Sequence, residues 1–286
     1  MKRLSAWWFA PAPAERLAAL RVLIGGFALA YLGLRLPELA ASAQLPSADF
    51  APVGICRVLD VPLPAWLAVV IALGTCALLV GFVAGFRARV VAPLAALALL
   101  WTLTYRSCWG QVFHTENLLA LHVLVLACAP ADRKSPPDAC GWPIKLLVSV
   151  TAATYLVAGI TKLRSAGLGW FDGSLLRDGV AVDALRKALV GEGAGPLART
   201  LLDHPGAFTL ISIATLVIEL GAPLALFGGR TARTWTVAAW GFHVGIALVM
   251  KITFPYPLLG FAFLPLFRVE TLLRLDRRRK GMPASA

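Results

Sequence analysis

The feature that most constrains this chain is a succession of long apolar runs separated by short, often basic connections. Eight runs stand out, at about 17–34, 65–86, 90–105, 117–129, 146–162, 208–227, 235–250 and 256–267. A helix needs roughly 20 mostly apolar residues to cross ~30 Å of hydrocarbon. Inside lipid, only helices and closed barrels satisfy their own backbone groups. The runs therefore predict an all-α, polytopic transmembrane bundle of about eight spans. Composition agrees, with 59% hydrophobic and 15% charged residues over 286 positions, where soluble domains carry about 25% charged. The runs at 117–129 and 256–267 are short, and the second contains Pro257 and Pro265. Stretches of that length also occur as re-entrant or simply buried segments.

The formal charge of +12 would suit a nucleic-acid partner, but its distribution does not. The basic residues fall in short clusters between the runs, the pattern that sets orientation in a bilayer. With the N-terminus inside, one side holds Lys2, Arg3, Arg16, Arg87, Arg89, Arg133, Lys134, Lys145, Arg230, Arg233 and Arg268. It also holds the basic tail 268–286, with Arg274, Arg277, Arg278, Arg279 and Lys280, which suits anionic headgroups. The other side has two long connections of mixed charge, 35–64 and 163–207. Short basic loops stay in the cytoplasm, so both termini of a multi-pass cell-membrane protein are expected there. Lys2, Arg3, Trp7, Trp8 and a stretch broken by Pro11 and Pro13 are too short for a signal-peptide core. The first span is expected to double as the insertion signal. No internal repeat divides the chain, which reads as one domain over 1–286. The 163–207 connection reads as a partly helical external cap, with apolar positions at helical spacing over 182–189.

Of five cysteines, Cys76 and Cys128 fall inside runs and Cys140 in a cytoplasmic connection. Cys56 and Cys108 both fall on the external side, where an oxidising compartment permits a disulfide; two unpaired thiols are the alternative. No metal-ligand spacing such as Cys-x-x-Cys occurs, and no metal is expected.

Ionisable residues at membrane depth are costly, so each is a candidate for function. Arg21 lies near the start of the first run and either snorkels to the cytoplasmic headgroups or pairs with Glu219. Glu219 lies deep in the run 208–227 and is neutral, paired with a cation such as Arg21, or part of a site. Lys162 closes the run 146–162, with Tyr155 and Gly159 at helical spacing on the same face. Gly159 admits a close neighbour. A half-buried lysine there is a candidate base; the alternative is an interfacial lysine reaching water. His243 lies inside 235–250 and His122 inside 117–129, each a catalyst or a satisfied interhelical hydrogen bond. His114, Glu116 and Asn117 cluster at the mouth of 117–129, as a site or a helix N-cap. On this topology Lys162, the start of 117–129 and the end of 235–250 all face the external half of the membrane, which implies one external-facing pocket.

Several stretches carry a family resemblance. They are Leu20-Arg21-Val22-Leu23-Ile24-Gly25, Asn117-Leu118-Leu119-Ala120-Leu121, and Tyr155 through Lys162-Leu163 followed by Trp170-Phe171-Asp172-Gly173. Ile218-Glu219-Leu220-Gly221-Ala222-Pro223-Leu224 and His243 through Phe254-Pro255 complete the series. In this order they resemble the HTTM (horizontally transferred transmembrane) domain, the membrane part of vitamin K-dependent gamma-carboxylases. The resemblance implies that Lys162 is the base that deprotonates a reduced quinone, vitamin K hydroquinone or menaquinol. It adds His243 and Glu219 to the catalytic candidates, and makes Tyr155, Gly159, Trp170, His114, Glu116 and Asn117 candidate quinol contacts. Two departures stand out. The carboxylases carry an Asn-His pair where this chain reads His114-Thr115-Glu116-Asn117, and little sequence follows the last run to match their large protein-gripping domain. Two readings follow: a quinol-linked oxidoreductase or carboxylase-like enzyme, and a non-catalytic membrane partner or small-solute transport or binding protein. The bilayer is a partner in both, with a quinone or lipid-like molecule as ligand in the first.

Overall fold

The computed structural model of the chain describes residues 2–110, 112, 114–130 and 135–271. Among these the regular structure is helical, with no strand. The α-helices are α1 (Lys2–Trp8), α2 (Ala14–Ser42), α3 (Ala65–Ala84), α4 (Ala88–Arg106), α5 (Asn117–Cys128) and α6 (Pro137–Ala166). They continue with α7 (Ser174–Leu189), α8 (Ala198–Leu202), α9 (Pro205–Leu220), α10 (Gly229–Met250) and α11 (Pro255–Leu258). Among the described residues four helices, α2, α3, α4 and α6, are long and apolar enough to cross a membrane. At 1.5 Å per residue, the 20 residues of α3 span about 30 Å, one hydrocarbon thickness. The 30 residues of α6 span about 45 Å, longer than one hydrocarbon thickness.

Two of the eight apolar runs differ from the single helices expected. The run 208–227 is α9 to Leu220, then a 3-10 turn over Ala222–Phe227. Pro223 accounts for the break, because it lacks the N–H that would return to the Glu219 carbonyl and its ring crowds that carbonyl. The run 256–267 is the four-residue α11 and a 3-10 turn over Phe261–Leu266, separated by Gly260 at φ 82°. Its prolines remove the donors that a continuous helix needs. α5 and α9 are apolar but have only 12 and 16 residues. α10, with 22 residues, is long but not among the four apolar enough.

The chain forms two compact units: residues up to Leu147 with the segment that starts at Phe267, and Val148–Leu266. In the first, α2 packs on α3 and α5, α3 on α4, and α4 on α5. Lipid is as apolar as leucine, so contact between such helices comes from close fit and shared polar groups. Gly25 supplies the fit, since a Cβ there would lie 2.7 Å from the Phe82 ring. Thr75 and Thr102 supply the polar link, their hydroxyls 2.9 Å apart and each also bonded to a carbonyl one turn back. α3 ends at Gly85, whose φ of 71° closes the helix with the Phe86 N–H on the Gly81 carbonyl at 2.9 Å. His122, fully buried, hydrogen-bonds the Leu147 carbonyl, the structural alternative of the two considered. Arg16 grips Glu270 with two bonds of 2.9 and 2.7 Å, fastening the segment after Phe267 to the start of α2. The basic tail from Arg274 lies outside the described residues.

In the second unit the core is Ala152 and Tyr155 of α6 with Ala222, Ala225, Trp235, Ala239 and Phe263. Trp235 donates its indole N–H to the Ile218 carbonyl at 2.9 Å, satisfying an acceptor near the end of α9. The stretch 182–189 is helical as expected, being the second half of α7. α7 packs on α8, α9 and α10. Its Lys187, buried, bonds Asp183 at 2.7 Å and donates to the Met250 carbonyl at the end of α10. A lysine suits that place, where a helix presents carbonyls without partners.

Candidate functional site

The site begins with a glycine. Tyr155, Gly159 and Lys162 share one face of α6, and at Gly159 a Cβ would meet Leu220 at 2.9 Å and the Glu219 Cβ at 3.0 Å. The missing side chain lets α9 approach closely enough for Lys162 Nζ to donate to Glu219 Oε1 at 2.5 Å. The side chain of Glu219 is 3% exposed and that of Lys162 is 24% exposed, so one partner is sealed and the other reachable. Glu219 thus finds its cation in Lys162, not in Arg21. The Arg21 guanidinium instead lies beside the α3–α4 turn, 2.9 Å from where a Cβ of Gly85 would stand. There Arg21 and Arg89 line a cavity of about 430 Å³.

Two further groups complete the constellation. The Trp170 ring lies 5.5 Å from Lys162 Nζ, a cation–π contact just beyond the end of α6. One helical turn or two back along α6, the Tyr155 hydroxyl meets His243 Nε2 at 2.7 Å. Trp235 packs edge-on to Tyr155 at 5.1 Å, while Phe242 and Phe254 flank the imidazole at 5.3 and 5.2 Å. Tyr155 also lies within electrostatic reach of Glu219. Lysine, carboxylate, phenol and imidazole, four proton-carrying groups, therefore sit in one unit around one helix face.

Three buried polar atoms here have no hydrogen-bond partner among the described residues: Glu219 Oε2, His243 Nδ1 and Trp170 Nε1. A buried polar atom left unpaired costs roughly 1–3 kcal/mol, so three in one neighbourhood call for an explanation. One acceptor, one indole donor and one imidazole nitrogen of either role suit a ligand that carries hydroxyl groups. Among the described residues no group of three metal-binding side chains occurs.

Glu116, the other carboxylate expected in the site, has its own surroundings in the first unit. It is 3% exposed and accepts from the Tyr31 hydroxyl at 2.6 Å and from Arg106. Arg106 continues to Glu38 at 3.2 Å, Glu38 to Arg35 at 3.0 Å, and Arg35 stacks over the Tyr31 ring at 4.4 Å. Burial raises the Glu116 carboxyl above its ordinary value, against the lowering influence of Tyr31, Arg106 and Arg35. Glu116 occupies the cap position of α5 but makes no side-chain capping bond, and Asn117 is the first helical residue. The capping alternative therefore fails for both. Glu116 and Asn117 line a cavity of about 210 Å³ with Thr104 and Ser107. The side chain of His114 lies outside the described residues.

Sequence reasoning missed Tyr31, Arg35 and Arg106. The available signal was that Arg35 and Arg106 come directly after the ends of their apolar runs and away from the basic clusters, where orientation gives no reason for them. Comparison with protein-family models, with curated proteins and with solved structures gave no match.

Proposed function

We propose that the chain is a multi-pass membrane protein of the HTTM-like, carboxylase-related kind, which binds a reduced quinone beside Lys162 and uses that lysine as a base. On this reading the eight apolar runs form the bundle, both termini are cytoplasmic and 163–207 caps the external end. The observation that carries it is the Lys162–Glu219 pair, its carboxylate sealed and its lysine reachable, with unpaired buried polar atoms around it. A quinol supplies, when bound, two electrons and two hydroxyl protons. Glu219 Oε1 takes the proton of Lys162 across their short contact, and Nζ then accepts a hydroxyl proton from the ligand. The free Glu219 Oε2 and His243 Nδ1 orient the hydroxyls, Tyr155 fixes the imidazole, and Trp170 covers the lysine.

A second reading, a non-catalytic binding protein, is favoured by the pairing itself, since an ammonium held by a carboxylate is not yet a base. The test is mass spectrometry of lipids that copurify with the full chain, followed by quinol oxidation with wild type and Lys162→Ala. Copurified quinone and a fall in turnover of about 10²-fold or more support the enzyme. Bound quinone with no turnover in either protein supports the binding reading. Neither quinone nor turnover sinks both.

A further inference from the structure

Cys56 and Cys108 come from different connections of the first unit. Cys56 lies in a 3-10 turn, Gly54–Val58, and Cys108 just beyond the end of α4. Both are fully buried and share one apolar cluster, and the Cys108 thiol donates to the Thr104 carbonyl at 3.3 Å. The backbones are tied at the same place, where the Ala51 N–H donates to the Cys108 carbonyl at 2.8 Å. Phe50, Tyr105 and Trp109 enclose the pair with ring centroids 5.2–6.2 Å apart. Among the described residues no third metal ligand joins them, which leaves a dithiol and not a zinc site.

We propose that Cys56 and Cys108 are a site of disulfide formation, the bridge fastening the connection between α2 and α3 to the end of α4. A bridge needs the two backbones close together; here both thiols are buried in one apolar cluster and a backbone hydrogen bond holds the two segments together. The oxidant class is a protein disulfide of a thiol oxidoreductase in an oxidising compartment, which rests on the orientation read above. The thiolate of one cysteine attacks the oxidant's disulfide, breaking its S–S bond and forming a mixed disulfide. The second thiolate attacks the first cysteine's sulfur and forms the intramolecular bond. The oxidant leaves as a dithiol carrying the two electrons and, by way of solvent, the two protons that the cysteines gave up. In the folded chain, burial and the neighbouring Cys108 thiol push the Cys56 thiol up, and thiolate is the reacting form. Exchange therefore precedes closure of the connection, and the finished bond is shielded from reductants.

The experiment isolates the full chain from acid-quenched membranes, unfolds it, alkylates it without reductant and digests it. A linked Cys56–Cys108 peptide pair that separates on reduction is the expected result, and Cys56→Ser should leave Cys108 open to alkylation. Lys162→Ala should leave the linked pair unchanged, which separates this outcome from that of the quinol reading. Alkylation of both thiols in unreduced wild type overturns the bridge. Orientation is read separately by Asp60→Cys in a Cys56→Ser, Cys108→Ser background, labelled on intact cells with a membrane-impermeant maleimide. Labelling together with free wild-type thiols overturns the bridge alone. No labelling together with free thiols overturns the bridge and the orientation together.

Discussion

The two units each bury a carboxylate, and the cations they set against it differ. Glu116 faces Arg106 and, through Tyr31 and Glu38, Arg35. Among the described residues, the cation that Glu219 faces is Lys162. Both leave Oε2 without a hydrogen-bond partner among the described residues, so an unpaired atom does not by itself separate a site from a brace. The chemistry of the cation does. A guanidinium keeps its proton at any physiological pH and grips with a fixed fork, whereas a lysine is a point charge that can give its proton up. Tyr155 and His243 accompany the lysine, while the arginines are accompanied by a second acid, Glu38, that completes a charge-balanced chain. On the proposed function the Glu116 network is a clasp, and the Lys162–Glu219 pair is the place where a proton moves.

Exchanging the cations is the sharpest way to break this comparison, and the largest expected effect. Lys162→Arg keeps the charge beside Glu219 but removes the exchangeable proton, so quinol turnover should fall about 10²-fold or more while the melting temperature in detergent changes little. A K162R protein that turns over like wild type would end the distinction between the two carboxylates. The mirror exchange, Arg106→Lys, should leave turnover intact and cost about 1 kcal/mol in chemical unfolding, the fork to Glu116 and Glu38 being lost.

The next effect is on stability. Lys162→Ala strands the Glu219 carboxylate, 3% exposed, and should cost about 3 kcal/mol, because breaking a buried pair leaves a charge uncompensated. Removing both partners with apolar groups of similar size, Lys162→Met with Glu219→Leu, should recover most of that loss, as such replacements are often neutral. The double variant should then be as stable as wild type and without turnover. If it is stable and active, the pair is a brace like the Glu116 network, and the proton reading falls.

Much of this was legible in the sequence, for definite physical reasons. Lipid admits so few backbone solutions that apolar runs alone located helices α2, α3, α4 and α6 to within a few residues on most ends. The exceptions were α2, which continues to Ser42, well past the run that ends at 34, and α6, which begins at Pro137, well before its apolar run. Its first turns bury a small residue, Gly141, against the Ala10 carbonyl, a contact that hydropathy does not register. Tyr155, Gly159 and Lys162 could be placed on one face because helical spacing fixes angles within an element. Partners across elements could not be placed, which is why Glu219 was offered Arg21 as its cation. Pro223 was visible, but only its position one turn after Glu219 shows that the helix breaks beside the ion pair. Cys56 and Cys108 were matched by side of the membrane alone; their contact depended on how the 43–64 connection folds back.

The smallest effect, and the one that tests the electrostatic side of the comparison, is on the pH dependence of stability. Burial would raise the Glu270 carboxyl, but the hydrogen bonds and charge of Arg16, with the backbone and Arg268, hold it below its ordinary value. Its contribution is therefore present above the ordinary carboxyl range and lost as pH falls through its depressed value. Glu116 runs the other way. Its carboxyl is raised, so its contribution is full at pH below the ordinary value and is lost as pH rises through the raised one. Melting temperatures of wild type, Glu270→Gln and Glu116→Gln, followed from acid to neutral pH, should show the two substitutions flattening opposite limbs. Glu270→Gln removes acid sensitivity, and Glu116→Gln removes a loss that sets in above the ordinary carboxyl range. Should both flatten the acid limb, the arginines around Glu116 outweigh its burial. The clasp would then be a stronger ion network than its geometry implies, and the contrast with Glu219 would rest on proton exchange alone.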